Sequence, residues 1–123
     1  MYIDLARNLL YYNSEQSIPC DCEICKNYYK QIKDKHPEIA EYLASLNVDI
    51  LRPFELVWLE NENNQIDYLD CQYIVFGKCD NNFKKQIGDI VFEINTLHHS
   101  STKHIKDEHF ILDFGKIVLE LSK

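Results

Sequence analysis

At Pro53 the hydrophobic pattern of the chain changes period, and that change constrains the fold more than any other feature. Upstream, apolar side chains recur at helical spacing: Cys25, Tyr29 and Ile32 in one stretch, then Ile39, Tyr42, Leu43 and Leu46 in the next. Downstream they alternate or run together in β-branched and aromatic clusters. Phe54 to Glu60 is one strand and Ile66 to Phe76 a second, joined by a turn at Asn61 to Asn64. Ile90, Phe92 and Ile94 alternate in a third, and Phe110, Leu112 and Phe114 in a fourth. Gly115–Lys116 then turns the chain into a fifth, carrying Ile117, Leu119 and Leu121. The polar connections are short, which favours antiparallel pairing, since parallel crossovers need a dozen or more residues. The expectation is an α+β fold, two N-terminal helices packed on an antiparallel sheet of about five strands. We read residues 1–123 as a single domain, with a cysteine knuckle and the helices in 1–52 and the sheet in 53–123.

The helical half has its own punctuation. Asp21 can cap a helix that runs from Cys22 to about Lys35, because Pro37 disfavours helical geometry at His36. Pro37 then sits in the first turn of the next helix, with Glu38 and Glu41 near its positive end and Asn47 as its stop. Leu5 to Tyr12 is ambiguous between a short strand and a helical turn, because Leu9 and Tyr11 against Leu10 and Tyr12 make both faces apolar. Asn13 to Ser17 reads as a polar turn, and Pro19 keeps the chain extended before the cysteines.

Charge and composition exclude several classes. A formal charge of −7 argues against a nucleic-acid binder, which needs a basic face for the phosphate backbone. The densest basic stretch, Lys26, Lys30, Lys33 and Lys35, is interrupted by Asp34 and scattered by helical spacing over a solvated surface. An acidic surface suits a basic protein partner. Three glycines leave no room for a phosphate-cradling loop. Asp4 and Arg7 interrupt the first residues, so no signal peptide is expected, and no stretch has the length of a membrane span. Five cysteines, three of them within six positions, suit a reducing compartment better than a secreted disulfide framework, so the expected location is the cytoplasm.

Those three cysteines are the sharpest chemical signal. In Cys20-Asp-Cys-Glu-Ile-Cys25 the chain enters extended, turns and starts a helix, so that three sulfurs can converge. Zinc takes four ligands in a tetrahedron, and Cys71, Cys79, His36 and one of the later histidines are the candidates for the fourth. Asp21 and Glu23 add negative charge, which favours a bound dication and opposes a nucleophilic thiolate. Three readings stand side by side: free thiols buried as small apolar groups, a structural metal site, or a redox pair formed by Cys22 and Cys25. Cys71 shares a face with Tyr73 and Val75, which favours core packing. A second constellation gathers His98, His99, His104 and His109 near Asp107 and Glu108, but Ser100 to Lys103 reads as a polar loop, where histidines are mostly solvated. Ser100 or Ser101 beside His99 is no catalytic triad, because a triad is assembled by the fold. Trp58, Tyr28, Tyr29, Tyr42, Tyr68 and Tyr73 read as core in preference to a ligand groove.

The run Pro19 to Tyr28, with Pro37-Glu38, Leu46 to Asp49 and Pro53-Phe-Glu55, resembles a group of small uncharacterised bacterial proteins with the same knuckle followed by an Asn-aromatic pair. The resemblance spans roughly the N-terminal half and implies a designed knuckle without implying an activity. The knuckle alone is similar to the zinc knuckle of tRNA-guanine transglycosylases, which use C-x-C-x-x-C and a distant histidine. That resemblance implies Cys20, Cys22 and Cys25 as sulfur ligands of a zinc ion. It does not extend to the activity, because the chain is too short for that family's (β/α)₈ barrel and has no histidine at the family's distance beyond Cys25. The sequence contains no nucleophile motif or phosphate loop. The expectation is a non-enzymatic binding or interaction domain with a structural cysteine knuckle. The alternatives are a small hydrolase or transferase using a metal held by the knuckle or the late histidines, and a thiol oxidoreductase acting through Cys22 and Cys25.

Overall fold

One long strand organises the molecule. The computed structural model describes residues 1–96, 102 and 104–121, and within them β3 (Gln65–Lys78) is the partner of four other strands. β1 (Tyr2–Ile3) and β2 (Glu55–Glu60) pair with it, as do β6 (His109–Gly115) and β7 (Ile117–Glu120). β5 (Ile90–Ile94) pairs with β6, and β4 (Lys84–Ile87) pairs with β5. Every pairing is antiparallel, and the sheet curls around three helices: α1 (Leu5–Tyr12), α2 (Glu23–Lys35) and α3 (Pro37–Ser45). The α+β class is as the pattern predicts. The counts among the described residues differ: three α-helices against two, and seven strands against about five.

The extra elements have physical reasons. α1 settles the ambiguity at Leu5 to Tyr12 in favour of a helix, capped by the Asp4 carboxylate, which accepts from the Arg7 N–H at 3.0 Å. Its buried face is Asn8, Tyr11 and Tyr12, while Leu5, Leu9 and Leu10 face outward. The reversal follows from where α1 lies. β1 meets β3 at Gly77–Lys78 and β2 begins at Gln72, which leaves the edge of β3 between them without a strand. Side chains of α1 fill that gap. Phe76 N–H donates to Asn8 Oδ1 at 2.7 Å, and the Tyr12 hydroxyl donates to the Ile74 carbonyl at 2.6 Å. Asn8 Nδ2 donates to the Leu46 carbonyl at 2.9 Å, tying the plug to the end of α3. Buried backbone groups need partners, and here polar side chains replace a missing strand.

Gly115–Lys116 is not a hairpin turn. β6 and β7 follow one another along the same edge of β3, with Phe114 opposite Cys71 and Ile117 opposite Tyr68. β3 carries an extra residue in this region, seen as a register shift against Val57 and Trp58, and Leu69 bulges outward there. A Cβ on Gly115 would run into the Leu69 carbonyl, so the glycine answers a close backbone approach.

Asn47 behaves as the pattern predicts. It adopts a left-handed φ of 59° just past α3, with its N–H bonded to the Ala44 carbonyl at 2.9 Å and the Val48 N–H to the Leu43 carbonyl at 3.0 Å, a Schellman ending.

From Cys71 to Gly77, β3 is buried on both faces. On the side facing the helices, Tyr73 stacks on Phe114 at 5.8 Å, Phe92 meets Phe114 at 4.9 Å and Tyr42 of α3 meets Phe92 at 4.9 Å. Tyr28, Ile32, Ile39 and Leu43, all fully buried, join the same core from α2 and α3. Burial of a side chain of this size stabilises by roughly 1.5–3 kcal/mol. The candidate groove-lining tyrosines Tyr28, Tyr68 and Tyr73 are therefore core, whereas Trp58 is 40% exposed. Among the described residues, no helix is long and apolar enough to cross a membrane.

Candidate metal centre at the start of helix α2

The segment before α2 is held from two sides. Arg52 donates to the Ser14 carbonyl at 3.1 Å and to Ser17 Oγ at 3.0 Å. The Tyr29 hydroxyl, in the second turn of α2, donates back to the Cys20 carbonyl at 2.9 Å. The first turn of α2 is in turn fastened to the sheet: the Tyr68 hydroxyl of β3 donates to the Ile24 carbonyl at 2.7 Å, and Asn27 Nδ2 donates to that hydroxyl at 3.2 Å. Tyr29 and Tyr68 position the knuckle from either side, although their sequence pattern marked them only as core.

Between these anchors the three sulfurs converge. The sulfur atoms of Cys20, Cys22 and Cys25 lie within 4.8 Å of one another. The cap of α2 is Cys22 and not Asp21. Cys25 N–H donates to Cys22 Sγ at 3.4 Å, and Cys22 N–H donates to Cys20 Sγ at 3.4 Å. A sulfur that accepts N–H bonds at the positive end of a helix gains most when it is a thiolate. Accordingly the Cys22 thiol is pulled below its ordinary value, first by the Cys25 N–H. The acids flanking Cys22 do not reverse that direction, contrary to the expectation from charge alone. Cys25 moves the other way. Burial pushes its thiol up, and hydrogen bonding to Cys22 and Cys20 leaves it holding the proton. Cys20 and Cys22 are exposed and Cys25 is buried, so the two neighbouring thiols of the C-x-x-C pair are shifted in opposite directions. A cation bound among the three sulfurs would take the place of thiol protons. With zinc–sulfur bonds of about 2.3 Å, tetrahedral sulfurs stand roughly 3.8 Å apart, so the cluster needs to close by no more than about 1 Å.

Of the proposed fourth ligands, His36, Cys79 and Cys71 are not brought into this group. His36 lies at the opposite end of the 13-residue α2, about 20 Å along the helix axis. Cys79 follows the far end of β3, beside Met1, Tyr2 and Glu108. Cys71 is fully buried in β3, where it hydrogen-bonds with Tyr28 and burial pushes its thiol up. Among the described residues, the cluster of potential ligands is Cys20, Cys22 and Cys25.

Of the late constellation, His98, His99, Ser100, Ser101 and Lys103 lie outside the described residues. His104 is exposed. His109 opens β6 with its ring 6.0 Å from Phe76 and its Nδ1 2.9 Å from the Asp107 carbonyl. Asp107 pairs with Arg7 of α1 at 2.7 Å, and Glu108 lies 3.8 Å from Lys78. Asp107 and Glu108 thus tie the residues just before β6 to α1 and to the end of β3.

Elsewhere, α1 and α3 border a groove of about 340 Å³ that includes Leu9, Ala40, Ala44 and Asp49. No protein-family model, curated protein or solved structure matches the chain.

Proposed function

We propose that this protein is a non-enzymatic binding domain whose N-terminal strap is stapled to the body by a zinc ion on Cys20, Cys22 and Cys25, with a solvent or partner group as fourth ligand. One observation carries the reading: three sulfurs from a six-residue segment meet within 4.8 Å, and two of them already accept backbone N–H bonds. The resemblance of this segment to a zinc knuckle agrees with it. Three thiolates give a zinc ion a net negative complex, which acidifies a bound water poorly, so the site favours holding structure over hydrolysis. A metal-dependent hydrolase or transferase is therefore the weaker use of the same residues. The acidic surface and the cytoplasmic, thiol-preserving setting expected from the sequence belong to this proposal.

One specific observation favours a second reading. Cys22 is exposed and pulled down at a helix start while Cys25 is buried and pushed up, the asymmetry a C-x-x-C redox pair uses. Elemental analysis of untagged protein purified without chelator separates the two. Near one equivalent of zinc, lost together with several degrees of melting temperature on chelation, supports the staple. Metal-free protein with fast alkylation of Cys22 near neutral pH overturns it in favour of the redox pair.

A further inference from the structure

β2 is an edge strand with no charge or proline in its middle, although the extra residue of β3 faces it at Val57 and Trp58. Among the described residues it pairs with β3 alone, so its other edge presents a row of free backbone donors and acceptors. Its central side chains are exposed on both faces: Val57 38%, Trp58 40% and Leu59 60%. Lysine, proline or an inward charge commonly protects such an edge, and β2 has none of these between Glu55 and Glu60.

The charge around this edge has one sign. From Pro53 to Gly77 the chain carries Glu55, Glu60, Glu62, Asp67 and Asp70 and no lysine or arginine. Lys116 reaches Asp67 at 3.7 Å, whereas Glu55, Glu60 and Glu62 make no ion pair among the described residues. Glu55 and Glu60 stand at the two ends of the strand, both exposed, about 17 Å apart at the usual rise per residue. A second copy of the chain pairing antiparallel on this edge would set Glu55 against the other copy's Glu60 at both ends, and a parallel copy would set each glutamate against itself. Like charges directly opposite are destabilising. The acids therefore disfavour self-pairing in this register and favour a strand of opposite charge.

We propose that the free edge of β2 binds an extended segment of a protein partner by strand addition, the segment having alternating apolar residues flanked by two Lys or Arg about five residues apart. Main-chain hydrogen bonds supply the affinity, Val57, Trp58 and Leu59 supply the apolar contact on either face, and Glu55 and Glu60 select the basic ends. The inference rests on the binding-domain reading and names its surface and partner chemistry, but it does not depend on the metal.

The probe is a blocked peptide, Lys-Val-Thr-Val-Thr-Lys, against the same peptide with glutamate at both ends, added to the full chain with backbone amide shifts followed by NMR. The expected result is saturable shifts confined to residues 55–60 and their β3 neighbours with the lysine peptide, weakened by salt, and none with the glutamate peptide. Glu55→Lys with Glu60→Lys, both exposed changes, should weaken the lysine peptide at least tenfold and admit the glutamate peptide. Glu55→Gln with Glu60→Gln should fall between. Equal binding of both peptides, shifts away from β2, or unchanged preference after charge reversal would overturn the proposal. So would a dimer of the free protein through β2 in sedimentation, which would give the edge to a second copy. Protein that purifies without metal in the absence of chelator, yet takes the lysine peptide, counts against the zinc staple and leaves this surface standing.

Discussion

The hydroxyls of Tyr28 on α2 and Tyr73 on β3 meet at 2.6 Å in the centre of the core, both side chains fully buried. Tyr73 donates to the Ile50 carbonyl at 2.7 Å, so Tyr28 must be the donor in the pair. Its hydroxyl also lies against Cys71. The chain Tyr28, Tyr73, Ile50 links helix, sheet and the segment leaving α3 by hydrogen bonds with no water between them. Burial raises the ionisation of both phenols well above their ordinary value, which keeps the network neutral.

That order of donation makes the two hydroxyls unequal. Tyr73→Phe strands both the Tyr28 donor and the Ile50 carbonyl and should cost roughly 2–4 kcal/mol, whereas Tyr28→Phe leaves the Ile50 bond intact and should cost about 1–2 kcal/mol. Urea unfolding of the two variants measures the difference. Equal losses, or a larger one for Tyr28→Phe, would contradict the assigned direction.

Asn8 should be as sensitive as a large core residue. It is fully buried and satisfies Phe76 N–H and the Leu46 carbonyl at once, so Asn8→Ala leaves two buried groups without partners. A loss of roughly 2–4 kcal/mol is expected, with Leu10→Ala on the exposed side of α1 changing stability by less than about 0.5 kcal/mol. Thermal melts of both variants test it, and a reversed ranking would refute the plugging role of α1.

Cys20 and Cys22 are exposed, so their removal tests the zinc staple without damaging the core. In metal-free protein, Cys20→Ser or Cys22→Ser should alter stability by no more than about 0.5 kcal/mol. In zinc-loaded protein each should abolish the rise in melting temperature that zinc produces. Persistence of that rise in both variants would remove these sulfurs from the ligand set.

Asp113 gives the fold a pH dependence of unusual sign. It sits on β6 opposite Gln72 of β3 and Glu93 of β5, and Gln72 Oε1 is buried without a partner among the described residues. Burial first, then the charges of Asp70 and Glu93, push its carboxyl up to about 6 from an ordinary 3.8, against a hydrogen bond from Asn95. A carboxyl that holds its proton more tightly when folded favours the fold below about pH 4, and that contribution is lost as pH rises through about 6. Asp113→Asn should therefore melt a few degrees higher than the parent at pH 7.5 and at the same temperature at pH 4. Calorimetry across that range checks it. A variant less stable at pH 7.5 than its parent would show that the carboxylate is stabilising.

The sequence was most legible where burial follows a period. The stripe Ile39, Leu43 and Leu46 of α3 and the alternation Leu112, Phe114, Ile117 and Leu119 lie in the core as their spacing implies. It was least legible where burial follows hydrogen bonding. α1 buries an asparagine and exposes three leucines, because its task is to satisfy β3 backbone groups. β4 is two lysines, a glutamine and an isoleucine and, among the described residues, pairs with β5 alone, so it carries little hydrophobic signal. Gly115 looks like a turn because the sequence does not reveal the Leu69 carbonyl pressed against it. At the knuckle, the spacing of three cysteines was enough to bring the sulfurs together. The reversal of cap from Asp21 to Cys22 depended on backbone N–H directions that spacing does not encode.

Because β3 holds strands on both of its edges and helices against its side, the helical N-terminal part and the sheet share a single interior. Cutting the chain near Pro53 would give one fragment with helices that have nothing to lie on and another with a sheet whose aromatic face is open to water. Heat, urea or a protease should therefore meet one cooperative barrier, and loss of the central strand anywhere along its length would release every other element together.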